Sequence, residues 1–284
     1  MISINRKNNR TFRNSFFLFL TFIFIFLSCK KKGCTDPVSL SYDIEASKDD
    51  GSCTYPEVAK KTLVFKSTGT WCAYCGDWGK DFSDDVTSDY SSNAQIIELH
   101  SNDNFSVDVG YLMQSHLDGI NGSVGVPHFY VGTAGVDNSY SLLSAEIDSD
   151  VALSPEVNLA VNYTVNSDSS KMNINIHSKL AGGFSGDNCY LAAYVVEDGQ
   201  VFEQNILGNY DPNYVHNNIL RTEASGSGSA FGVPIVFNSS GDNIKSYNDV
   251  LLAPSTLWNY SNLYVVAVVW EQDGADYRFV NLVR

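Results

Sequence analysis

The chain has 284 residues, 44% hydrophobic and 13% aromatic, with 18 Lys and Arg against 32 Asp and Glu for a formal net charge of −14. That apolar content supplies packed cores and excludes wholesale disorder. The acidity argues against nucleic acid and anionic lipid headgroups as partners.

In chain order, the first residues read as an export signal. Arg6, Lys7, Arg10 and Arg13 form a basic start, and Phe16 to Leu27 is an apolar run interrupted by Thr21 alone. Such a run is too short for a comfortable membrane span and fits the apolar part of a secretory signal. It ends in Phe26-Leu27-Ser28-Cys29, which resembles a bacterial lipoprotein cleavage box, with Phe26 where an aliphatic residue is commoner. The resemblance implies lipidation at Cys29, an extracytoplasmic location and anchoring by acyl chains instead of a helix. An ordinary signal peptide or anchor with an incidental Cys is the alternative. Removing residues 1–28 would leave 256 residues and a net charge of −18, a length that suits two domains.

Five further cysteines follow: Cys34, Cys53, Cys72, Cys75 and Cys189. Local spacing suggests the pairs 34–53 and 72–75. Cys189 opens the apolar run CYLAAYVV and reads as a buried, inert thiol. Residues 29–58 begin with the polar tether Lys30-Lys31-Lys32-Gly33, then CTDPVSLSYDIEASKDDGSC with one Cys at each end. This stretch resembles a small cysteine-bounded segment of secreted Bacteroidetes proteins. Asp36, Asp43, Asp49 and Asp50 offer oxygens to calcium, but their spacing is not that of a helix-loop-helix calcium loop. A disulfide-closed surface loop is the expectation.

Residues 59–153 alternate strand and helix. Thr62 to Lys66 is a short apolar strand, Asp77 to Val86 a helix, Gln95 to His100 a strand and Val107 to Leu117 a helix. A loop leads to Val126-Pro127 and a strand through Val131, and Ser141 to Val151 forms a closing helix. Such alternation predicts crossover units around a sheet. After Pro155 the texture changes. VNLAVNYT and KMNINIHSKL alternate apolar and polar residues about a turn at 166–170, a hairpin with one wet face. CYLAAYVVED, LYVVAVVWEQ and YRFVNLVR continue the strands, and residues 154–284 are expected to form an Ig-like β-sandwich.

The chemistry lies in TWCAYCG, residues 70–76. A lone C-x-x-C can exchange disulfides, hold a metal or serve as a static staple. Metal binding lacks ligands, since no second C-x-x-C exists and the five histidines show no paired spacing; no metal and no cofactor are expected. The pair follows a predicted strand, opens a predicted helix, is preceded by Trp71 and is followed by a Val-Pro strand start.

Together these features resemble the thioredoxin fold. The resemblance implies that Cys72 is the exposed nucleophile at a helix N-terminus and Cys75, one turn in, the resolving thiol. It also implies a cis peptide at Val126-Pro127 beside the sulfurs, with Trp71, Tyr74, Val126 and Pro127 as substrate contacts. One position departs: thioredoxins commonly bury an acid five residues before the Trp, and here Lys66 stands there. A cation cannot accept the resolving thiol's proton, which points to slow or specialised exchange.

TGTWCAYCG, GVPHFYVG, YVVEDGQVFEQN, the VHNNILRTEASGSG segment and LYVVAVVWEQ together resemble the Bacteroidetes twenty-eight-kilodalton outer-membrane protein family. The resemblance implies an α/β thioredoxin-like domain followed by a β-domain, an outer-membrane location and a surface adhesion or receptor role. His216, Asn217, Asn218 and Arg221 read as polar groups on a strand and its turn. The expected protein is an envelope lipoprotein that exchanges disulfides with a protein thiol or disulfide partner. The rivals are a non-enzymatic adhesion or receptor protein, in which Cys72–Cys75 is a staple, and a structural envelope spacer. Lys30-Lys31-Lys32 lacks the acids that mark surface export in related lipoproteins and leans toward the periplasmic face.

Overall fold

The computed structural model describes residues 30–37, 39–166, 170–254 and 256–284. The export signal and Cys29 lie outside the described residues. Cys34 and Cys53 are joined by a disulfide, and the loop between them is surface structure with isolated bridges only.

The first half runs β1 (Thr62–Thr68), α1 (Trp78–Asp89), β2 (Ala94–His100), α2 (Asp108–Asn121), β3 (His128–Val131), β4 (Ala134–Val136) and α3 (Tyr140–Val151). β1 pairs in parallel with β2 and antiparallel with β3, which turns back into β4. The second half opens with β5 (Val157–Asn166), β6 (Lys171–Leu180) and β7 (Cys189–Glu197), then the short β8 (Gln200–Val201), β9 (Gln204–Ile206), β10 (Asn209–Asp211) and β11 (Val215–His216). β12 (Ile219–Glu223), β13 (Val233–Pro234), β14 (Asp242–Leu251), β15 (Leu263–Asp273) and β16 (Asp276–Val283) complete it. Among the described residues no helix is long and apolar enough to cross a membrane.

The antiparallel strands after Pro155 do not close on themselves. They extend the first sheet, in the order β16-β15-β7-β12-β2-β1-β3-β4, through the parallel contact of Ile219 on β12 with Glu98 on β2. Among the described residues, β5, β6 and β14 form a separate antiparallel sheet of three strands, and β9-β10 and β8-β11 form two small antiparallel pairs. The architecture is one mixed sheet with parallel strands at its centre, backed by an antiparallel layer.

Side-chain alternation explains the layering. Leu63 and Phe65 of β1 enter one core while Val64 enters another, beneath Val86 of α1 and Leu143 and Ile147 of α3. On β7, Ala192, Tyr194 and Val196 join Leu63 and Phe65, whereas Leu191, Ala193 and Val195 face Leu159, Ile174 and Ile176 of the three-stranded sheet. β15 divides likewise: Val266, Val268 and Trp270 to the first core, Val265, Ala267 and Val269 to the second. Burial on both faces is why these strands read as unbroken apolar runs. Phe65 and Trp270 stack across the shared core with centroids 6.4 Å apart.

One polar side chain sutures the far end of β1. Asn281 on β16 is buried; its Oδ1 accepts the Lys61 N–H at 2.9 Å, and its Nδ2 donates to Ala59 O at 2.7 Å and Val157 O at 2.8 Å. Replacing it with Ala removes the partner of three backbone groups, of which Val157 O is buried and the other two are half-buried, at about 1–3 kcal/mol for a buried one left unsatisfied. Asn281→Ala should therefore lose about 1–3 kcal/mol, read as a lower urea midpoint with unchanged far-ultraviolet circular dichroism. An unchanged midpoint would show that the suture is not needed.

Candidate active site

The start of the loop between β1 and α1 is fixed by the continuation of β2. Ser101 N–H donates to Thr68 O at 3.1 Å, Trp71 Nε1 donates to Ser101 O at 2.8 Å, and Thr70 N–H donates to Asp103 Oδ2 at 2.9 Å. Cys72 and Cys75 form a disulfide in this loop. The helix starts only at Trp78, so both cysteines precede it, which corrects the expectation of Cys72 at the helix mouth and Cys75 one turn inside. Nor is Cys72 openly exposed: it is 5% accessible and Cys75 1%. Cys75 N–H donates to Cys72 O and also points at Cys72 Sγ, each at 3.2 Å. That single amide takes the place of a helix end beside the sulfur.

Val126-Pro127 is cis, and Cys72 Sγ lies 3.5 Å from Val126 O. The structure therefore brings together Cys72, Cys75, Val126 and Pro127, with Trp71 and Tyr74 exposed on the rim. Gly79 lets the helix start slide beneath the proline, since a Cβ there would sit 3.0 Å from Pro127 Cβ.

The second half of the chain holds the backbone of this loop as well. The β9–β10 hairpin docks on the loop, with Asn205 N–H donating to Thr70 O at 2.8 Å and Leu207 N–H to Ala73 O at 3.2 Å. Gln204 Nε2 donates to Cys72 O at 2.9 Å and Asn205 Nδ2 to Trp71 O at 3.1 Å. Gly76 permits this approach; a Cβ on it would lie 2.7 Å from Gln204 Cγ and 2.8 Å from Asn205 O. In the sequence this hairpin is a few polar residues between stronger strands. Its one local signal is Gly208, which turns the hairpin at φ 92°.

Lys66 is buried, not turned to solvent, and its Nζ lies 2.8 Å from Glu98 Oε1. Parallel register sets Lys66 directly beside Glu98, so a buried acid is present but comes from the neighbouring strand. Burial opposes the charge on Glu98, yet Lys66 and His100 outweigh it and hold the carboxyl down at about 2. His100 continues the chain of charges: its Nδ1 lies 2.7 Å from Asp103 Oδ2 and its Nε2 3.5 Å from Glu98 Oε2. Burial disfavours the imidazolium, but the two carboxylates raise its pKa above the ordinary value. Asp103 thus links this buried row to Thr70 in the cysteine loop.

A cavity of about 320 Å³ borders the row, lined among others by Lys66, Glu98, Ser83, His216 and Arg284. His216 is pushed down to about 4 by burial and by the charge on His100. Asn217 and Asn218 act as sutures: Asn217 Oδ1 accepts Gly199 N–H at 2.9 Å, and Asn218 Oδ1 accepts Tyr264 O–H at 3.0 Å. Arg221 Nε donates to Glu197 Oε2 at 2.7 Å in a fully buried pair. Cys189 is a buried free thiol, pushed up to about 12 chiefly by burial.

Glu98→Gln leaves the Lys66 ammonium buried without a counter-charge and should destabilise the protein by about 3–5 kcal/mol at neutral pH. The double variant Lys66→Met/Glu98→Leu removes both charges and should recover most of that loss. Because the Glu98 pKa is depressed from 4.5 to about 2, its contribution is complete above the unfolded value and disappears as pH falls through the folded one. Thermal melts from neutral pH into acid, wild type against the double variant, read this directly; identical acid limbs would contradict it.

Residues 114–283 match the family described as Outer membrane protein Omp28. Among solved structures, HBP35 of Porphyromonas gingivalis superposes with a TM-score of 0.67 at 16% identity, covering 81% of this chain and 76% of that one, a likeness of fold. A domain of the outer membrane lipoprotein Omp28 from Porphyromonas gingivalis matches at 17% identity over 45% of this chain and 85% of that one, with a TM-score of 0.29. No curated protein matches the chain.

Proposed function

Since the chain belongs to the Omp28 outer membrane protein family, and is therefore an outer-membrane protein, we propose that it is a lipid-anchored thiol–disulfide exchange protein of the envelope. The family match begins at Gln114, beyond the cysteine pair, so the chemistry rests on the site itself. The observation that carries it is the Cys72–Cys75 disulfide in the loop from a parallel strand to a helix, with Cys72 Sγ 3.5 Å from Val126 O. The order β2-β1-β3-β4, with β3 antiparallel to the central strand, supports a thioredoxin-like unit over residues 59–153. Residues 154–284 are read as a β-sandwich-like body that buttresses it and lends it the β9–β10 hairpin.

In the reduced protein Cys72 thiolate attacks one sulfur of a partner disulfide and expels the other as thiolate. Cys75 then attacks Cys72 Sγ, the second partner thiolate leaves, and two electrons have passed to the partner. Glu98, held near 2 by Lys66, is too weak a base to take the Cys75 proton at neutral pH. That proton passes to water or to the departing partner thiolate, which suits exchange with particular partners better than rapid general reduction.

A second reading has its own support: both cysteines are nearly buried, as a static staple in an adhesion or receptor protein would be. Trapping separates the two. After mild reduction, alkylation at neutral pH should label Cys72 before Cys75. Cys75→Ser should accumulate mixed disulfides through Cys72 in native envelopes, and Cys72→Ser none. A staple predicts resistance to mild reductant, an empty trap, and a double Cys variant that simply melts earlier.

Anchoring is attributed to Cys29, at the end of a basic start and a short apolar run. Cys29→Ala should lose acyl-chain labelling and partition into the aqueous phase on detergent extraction; unchanged membrane attachment would remove the lipid anchor from the proposal.

A further inference from the structure

The rim around Cys72 combines two features that point to the same kind of partner. The first is apolar. Trp71 and Tyr74 from the cysteine loop and Leu207 and Tyr210 from the hairpin are between 45 and 57% exposed. They belong to segments tied together by Leu207 N–H to Ala73 O and by Asn205 Nδ2 to Trp71 O. Large apolar side chains left open on a rigid frame beside a reactive bond form a contact surface.

The second feature is charge. The segments that build this rim, residues 70–79, 126–127 and 203–211, contain no Lys or Arg, while Asp77, Glu203 and Asp211 lie within them. Lys80, the next cation along the chain, is held by Asp84, and Lys66 is buried against Glu98. The cations Lys60 and Lys61 precede the opposite end of β1 from the loop, and Arg278 on β16 is held by Glu156 and Glu271. Glu203 and Asp211 flank the site directly: Glu203 precedes Gln204, whose side chain bonds Cys72 O, and Asp211 pairs with Gln204 across the hairpin.

We infer that this rim docks a cationic segment with apolar residues on the protein that carries the exchanging disulfide. A partner rich in Lys or Arg gains from the field of these acidic rim segments, whereas an acidic partner is repelled by it. The apolar side chains supply contact area that charge alone does not. This inference rests on the exchange function proposed above and adds the class of substrate.

The test uses the reduced full-length protein and three small disulfides of similar size: cationic cystamine, neutral bis(hydroxyethyl) disulfide and anionic dithiodiglycolate. Each is reduced to two thiols as Cys72 and Cys75 become a disulfide, so the electron balance is the same in all three. With each rate divided by that of the same probe with dithiothreitol, which removes the difference in leaving-thiol basicity, cystamine should react fastest and dithiodiglycolate slowest at low ionic strength, by about tenfold between the extremes, and the spread should shrink at high salt. The variant Asp77→Asn/Glu203→Gln/Asp211→Asn should shrink it too, with the rate toward the neutral probe unchanged. With a disulfide-closed peptide of Lys, Leu and Cys, Leu207→Ser/Tyr210→Ser should lower the rate severalfold while leaving the cystamine rate in place. A flat or reversed order among probes that do react overturns the cationic partner but not the exchange function. No reaction with any of the three overturns the exchange function, and this inference with it.

Discussion

Everything in this molecule depends on two strands being buried on both faces. β7 and β15 send alternate side chains into two cores, and neither core exists without them. Burial of apolar surface at roughly 25 cal/mol per Å² makes such strands the main stabilising elements. It also fixes register, because a slip of one residue would exchange the contents of the two cores. β12 then joins β7 to β2, and through β2 the same framework sets the end of β1 from which the cysteine loop departs.

The site inherits its form from that framework. A loop held by a single strand end would be free to shift; this one is bonded to Ser101 and Asp103 on one side and to the hairpin on the other. The hairpin is carried by the stretch between β7 and β12, so its position over Cys72 follows from the pairing of those strands. Joined to the loop through Asp103 and Thr70, the row Lys66, Glu98, His100 and Asp103 alternates cation and anion among buried side chains. Such rows are costly to break from one side only, which makes this side of the site rigid in a way that apolar packing would not.

Much of the fold was legible because it is local. Apolar runs bounded by turn residues mark β1, β2, β7 and β15, and the alternation in VNLAVNYT and KMNINIHSKL marks β5 and β6 to within a few residues. The cysteine pair announced itself by its place between a strand and a helix. What could not be read depends on register and distant pairing. Lys66 is an anomaly in the sequence; only the parallel alignment of β1 with β2 reveals Glu98 as its partner. The hairpin is legible only once the loop that it covers is known, since strands of three residues have no pattern of their own. The single sheet running through both halves rests on one residue of β12 beside β2, which no periodicity encodes.

The shared core also has a consequence for how the chain acquires its bonds. The first core is assembled from residues as far apart as Leu63 and Leu282, so it closes late, after long loops have been brought together. Until then Cys72, Cys75 and Cys189 lack the burial that the folded protein gives them. Nearness along the chain favours Cys72–Cys75 during that interval, since the loop to be closed spans three residues. Cys189 is withdrawn when β7 aligns with β15 and sets it opposite Glu271. Strand pairing thereby buries the odd cysteine as the native framework forms.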